Sequence, residues 1–197
     1  MADPIAQVAF YAVIGCWCIF LITFGLRARR PQSQETKRDR SAMAGLFLQT
    51  VGYLAVWLSP LYRKQFSAIM PMPRTAEVAL DVLAVALAAA SVWLVNAASR
   101  RLGKQWGLAA RLVEGHNLIR EGPYRLVRNP IYAGMFGLLL ATGLTMSPWT
   151  TLLAACAVFA AGTLIRIRSE EKLLRQAFGA AFEKYAREVP ALIPGIY

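Results

Sequence analysis

The chain alternates long apolar runs with shorter polar stretches. Residues 5–26 form the first run and carry no charged side chain. Roughly 20 apolar residues suffice for a helix to cross the hydrocarbon layer, so this run is a spanning candidate. A second run, 43–62, closes at Ser59-Pro60, and a third, 76–99, is rich in Ala, Val and Leu. Runs four and five, 130–146 and 148–165, are separated by Ser147-Pro148. Serine as cap and proline in the first turn predict a new helix there, so the two runs should form an antiparallel hairpin. Beyond Arg166 the pattern becomes amphipathic. Leu174, Ala177, Phe178, Ala181, Phe182 and Tyr185 recur at helical spacing among Glu170, Glu171, Lys172, Arg175, Lys184 and Arg187. Val189-Pro190 ends this helix, which is suited either to lie on the membrane surface or to cap the polar loop before run four. The pattern predicts an all-α, polytopic membrane helix bundle with about five transmembrane helices, forming a single domain over 1–197.

Composition agrees with that reading. The chain is 57% apolar, with a mean hydropathy of +0.43. Its formal net charge of +11 would suggest a nucleic-acid partner on a soluble protein. Between apolar spans, however, positive charge sets orientation, and no nucleic acid is expected. Six Lys/Arg fall in 27–40, three in 63–75, seven in 100–128 and six in 166–187. With five spans, 19 of the 22 share one side, which places 100–128 and the C-terminal helix in the cytoplasm. The first run is preceded by Asp3 and no basic residue, so it is expected to remain as a membrane helix rather than serve as a cleaved signal. Cys16, Cys18 and Cys156 lie in apolar runs without a CxxC pair or His partner, so neither a metal nor a disulfide framework is expected.

Two polar elements flank the hairpin. Before it come Gly115-His116, Gly122-Pro123-Tyr124 and Arg128-Asn129-Pro130-Ile131-Tyr132. Glycines permit close approach of a ligand to the backbone, and a helix starting at Pro130 offers amides to an anionic group, with Arg128 adding a charged fork. After it, Arg166 and Glu170 stand four residues apart and can share one helix face. An acid there suits an ammonium or ribose hydroxyls, and an arginine suits a carboxylate. Gly134, Gly137 and Gly143 are read as helix-packing residues. Asp81 and Asn96 are intramembrane polar residues close to span ends. Trp57, Trp93 and Trp149 read as packing or interface residues.

The segment GHNLIREGPYRLVRNPIYAG followed by EEKLLRQAFGAAFEKYAREVPALIP resembles the isoprenylcysteine carboxyl methyltransferases and the related membrane phospholipid methyltransferases. The resemblance covers about 103–194, with two motifs in order around a helical hairpin. It implies a cytoplasmic pocket for S-adenosylmethionine, lined by His116, Asn117, Leu118, Ile119, Tyr124, Asn129, Pro130 and Tyr132, with Glu170 as a cofactor ligand. Arg128 and Arg166 would be the catalytic residues next to the acceptor. The implied acceptor is a lipophilic small molecule or prenylated substrate arriving through membrane lipids. The family's usual Arg-His-Pro is Arg-Asn-Pro here, so proton transfer by an imidazole is lost at Asn129 while hydrogen bonding is kept. A carboxylate acceptor is already ionised and needs no base, and without a dedicated base in the sequence a carboxylate or a thiol is favoured over a lipid amine. A sterol-type reductase using NADPH carries a related signature, but Met135 stands where an acid is expected in those enzymes. A non-catalytic scaffold is the remaining alternative.

Overall fold

The computed structural model describes residues 4–28, 35–38, 41–61, 70–107, 111–113, 115 and 117–193. Its frame is five apolar helices: α1 (Pro4–Ala28), α2 (Ala42–Leu58), α3 (Arg74–Leu102), α4 (Pro130–Met146) and α5 (Trp149–Phe178). A short amphipathic α6 (Ala180–Glu188) follows. The molecule is a helical membrane bundle. Pro4–Arg27, Arg74–Gln105 and Trp149–Phe178 are long and apolar enough to cross a bilayer. At 17 residues each, α2 and α4 reach only about 25 Å at 1.5 Å per residue. They are sheltered by neighbours: α4 packs mainly on α3, and α5 mainly on α2. A two-stranded antiparallel ribbon, β1 (Glu35–Arg38) with β2 (Arg111–Val113), joins the two polar connections. Apolar periodicity gives no warning of it, because the strands are only four and three residues long.

Small residues set the helix spacing. A Cβ on Gly45 would stand 2.5 Å from the carbonyl oxygen of Gly162, and one on Gly162 would stand 2.6 Å from that of Gly45. Helices α2 and α5 therefore touch backbone to backbone. Gly134 meets Val95 and Ser91 in the same way across the α3–α4 seam, and Gly137 also faces Ser91, so these glycines serve packing as expected.

Two sequence expectations change at the hairpin and beyond it. Ser147 does not cap α5; Pro148 occupies that position. The Ser147 hydroxyl instead lies 2.7 Å from that of Ser59 and donates to the Val56 carbonyl at 3.3 Å, tying the end of α4 to the end of α2. A buried hydroxyl bonds wherever tertiary packing brings an acceptor, and here that is another helix. The amphipathic stretch beyond Arg166 is also not a separate helix. Helix α5 runs unbroken to Phe178, since nothing at the membrane boundary interrupts its backbone bonds. The break comes at Gly179, whose φ of +48° suits glycine, and α6 turns away from there.

Candidate functional site

The loop entering α4 is held by the end of the chain. The Arg128 amide donates to the Pro190 carbonyl at 2.8 Å, and the Asn129 amide and side-chain Nδ2 both donate to that of Ala191 at 3.0 Å. The Arg128 guanidinium donates from Nε to Glu171 Oε1 at 2.9 Å, from Nη1 to the Ala186 carbonyl at 2.8 Å, and also to that of Val189. Tyr185 donates to the Tyr124 carbonyl at 2.7 Å, and Arg120 to that of Ala181 at 2.7 Å while lying over the Tyr185 ring. Of the two roles open to the C-terminal helix, it therefore caps the loop. Burial pushes the Tyr185 phenol up to about 12, against the opposing pull of Arg128 and Arg120, so it stays a donor. Burial raises the Tyr124 phenol as well, reinforced by the charge of Glu170.

Beneath this cap lies a cavity of about 360 Å³, within the range of small-molecule sites. Helices α1 and α2 contribute an apolar lining that includes Trp17, Phe20, Phe24 and Tyr53. The loops, α4 and α5 contribute Asn117, Leu118, Ile119, Tyr124, Arg128, Asn129, Pro130, Tyr132, Arg166, Glu170 and Glu171. All the site residues implied by the resemblance thus meet on one cavity except His116, which lies outside the described residues. Asp81 and Asn96 do not line it. Asn96 donates to the Val92 carbonyl at 3.0 Å and accepts from Arg27 at 3.4 Å. Among the described residues, no group of three or more His, Cys, Asp or Glu is arranged to hold a metal.

At the α4–α5 end of the lining, Tyr132 donates to Glu170, and the Arg166 guanidinium lies 5.0 Å from the Tyr132 ring centre. Arg166 is only 4% exposed and Glu171 7%, so this Arg/Glu cluster is an interior feature rather than an anchor among lipid headgroups. Arg128 differs from Arg166 in its bonding, since its guanidinium is turned to Glu171 and the capping carbonyls.

Several lining or supporting residues went unread in the sequence. Trp17 donates to Thr142 on α4 at 2.9 Å and packs edge-on against Tyr53 at 5.0 Å. Gln49, 1% exposed, accepts from Arg166 at 3.0 Å and donates to Thr163 at 2.8 Å. An amide in mid-span is a functional candidate on polarity alone, so Gln49 carried a readable signal. The aromatic residues did not, since they blend into an apolar run.

The sequence profile of the phospholipid methyltransferase family matches residues 80–181. Curated relatives include the protein-S-isoprenylcysteine O-methyltransferase of Schizosaccharomyces pombe, 32% identical over 87 residues, which are 44% of this chain and 37% of that protein. Protein-S-isoprenylcysteine O-methyltransferase B of Arabidopsis thaliana is 32% identical over 84 residues, 43% of each chain. The cobalt-zinc-cadmium resistance protein CzcN of Cupriavidus metallidurans is 35% identical over 97 residues, 47% of this chain and 43% of that one. Each match spans less than half of the relative's length.

Proposed function

Because the chain belongs to the phospholipid methyltransferase family, we propose that it moves a methyl group from S-adenosylmethionine to a lipophilic acceptor, with the carboxylate of an isoprenylcysteine-like lipid as the acceptor that suits the site best. The observation carrying this reading is one cavity that joins an aromatic lining from α1 and α2 to the Tyr132–Arg166–Glu170 cluster.

The donor set fits a cationic, hydroxyl-rich cofactor. Glu170 offers an acceptor to an ammonium or to ribose hydroxyls, and the Tyr124 and Tyr132 rings offer flat apolar contact. The same set suits the phosphates of NADPH poorly. Arg128 is committed to Glu171 and main-chain carbonyls, so it is not available to a row of phosphates. When bound, S-adenosylmethionine supplies an electrophilic methyl on a sulfonium, which leaves as a neutral thioether when the acceptor oxygen bonds to that carbon. The protein's contribution is alignment and exclusion of water. Arg166 holds the acceptor carboxylate by charge-assisted bonds, and no base is needed because that group is already ionised. Helix α6 contributes Phe182 and Tyr185 to the lining, and residues 189–191 hold the loop at Arg128 and Asn129. The uneven distribution of basic residues supports a cytoplasmic mouth.

The test is thermal unfolding in detergent. S-Adenosylmethionine or S-adenosylhomocysteine should raise the midpoint, because either ligand binds the folded state alone, and NADPH should not. A shift with NADPH alone would move the chain to the reductase reading.

A further inference from the structure

Gln49 lies on α2, outside the residues that match the family, yet it touches the residue assigned above to the acceptor. The contact depends on the glycine seam. A Cβ on Gly45 would stand 2.5 Å from both the Gly162 carbonyl oxygen and Arg166 Cγ, so any larger residue would push α2 away from α5. Across that seam Arg166 Nη1 donates to Gln49 Oε1 at 3.0 Å, over a sequence separation of 117. The guanidinium has only donors, which dictates that the amide presents its oxygen. The remaining NH2 then needs an acceptor, and Thr163 Oγ1 supplies it at 2.8 Å.

A glutamate would make the same two contacts, with Thr163 donating instead of accepting. If bracing the fold were the whole purpose, either residue would serve. What the amide does differently is to add no negative charge to a cluster that already contains Glu170.

We propose that Gln49 is a positioning and specificity-determining residue, whose neutral amide aims the Arg166 guanidinium at the cavity without competing for its charge, so that the site selects an acceptor with an anionic head. The proposal rests on the methyl-transfer reading for the role of Arg166. It gives the N-terminal half of the chain a part in acceptor choice.

The experiment compares binding of N-acetyl-S-farnesylcysteine with that of its carboxamide, using wild-type protein and Gln49→Glu in detergent. Wild type should bind the carboxylate about tenfold or more tightly than the carboxamide, as expected for a charge-assisted contact. Gln49→Glu should reduce that preference to about twofold or less while keeping the thermal midpoint and S-adenosylhomocysteine affinity, because the added carboxylate takes the guanidinium that the acceptor needs. A purely structural Gln49 predicts an unchanged preference in this near-isosteric variant. Should Gln49→Glu fail to fold, Thr163→Val decides the matter. It removes the acceptor for the NH2 without adding charge, and the preference should fall severalfold. A wild-type protein with no carboxylate preference, or variants that keep the wild-type preference, would overturn the proposal. Failure of wild type to bind S-adenosylhomocysteine or S-adenosylmethionine would instead remove the methyl-transfer reading, and it is read in a separate titration.

Discussion

Replacing Arg128 by Met asks whether this arginine acts on a substrate or holds the cap. Its side chain is 12% exposed and that of Glu171 9%, so the pair is largely withdrawn from water. Removing one partner of such a pair costs about 3–5 kcal/mol, chiefly because the other charge is left buried. Glu171 keeps Arg175 at 3.2 Å, which points to the low end, about 3 kcal/mol. The main-chain bonds from 128 and 129 to Pro190 and Ala191 remain, so the loss should appear as opening of the cap rather than global unfolding. At 1.36 kcal/mol per decade, the opening equilibrium should rise about a hundredfold. Amide hydrogen exchange over 180–193 in detergent measures it directly, and Glu171→Gln should loosen the same segment. Cofactor affinity should fall with the opening, since α6 lines the cavity. If protection over 180–193 stays at the wild-type level while turnover is lost, the clamp argument is wrong and Arg128 acts on the acceptor.

Three further outcomes are expected. Glu170→Gln should weaken S-adenosylmethionine binding about tenfold or more, whereas Arg166→Lys, which keeps the charge but loses the planar fork, should mainly reduce methyl transfer; calorimetry beside turnover decides, and wild-type behaviour of both variants refutes the site assignment. Tyr185→Phe should cost about 1 kcal/mol for the bond to Tyr124 and should change the alkaline limb of stability. The folded-state phenol is raised to about 12, so its contribution is complete below the ordinary phenol value near 10 and lost as pH rises toward 12. Thermal midpoints from pH 8 to 12 should therefore fall less steeply in the variant between those values, and parallel curves would refute the burial argument. Finally, a cysteine placed at Lys184 should resist impermeant labelling from outside intact cells, and strong external labelling would invert the topology.

The sequence by itself determined which stretches form the apolar helices and which residues are candidates for the site, because both follow from local composition and short motifs. The apolar runs, the helix start at Pro130 and the hairpin break at Ser147-Pro148 are short-range features. The cavity residues of 117–132 and 166–171 were legible through two motifs of distinctive spacing. Local patterning could not say that α5 runs past the membrane boundary to Gly179, since amphipathicity changes at Arg166 while the backbone has no reason to stop. Nor could it assign Ser147, whose hydroxyl is satisfied across the bundle by α2 rather than within its own turn. Arg128 reads the same in sequence whether it faces a substrate or the carbonyls of Ala186 and Val189, and only the return of the chain beneath the loop settled its bonds. Gln49 and Arg166 meet because two glycines on separate helices let their backbones touch, and contacts across 117 residues are set by packing, which no local pattern encodes.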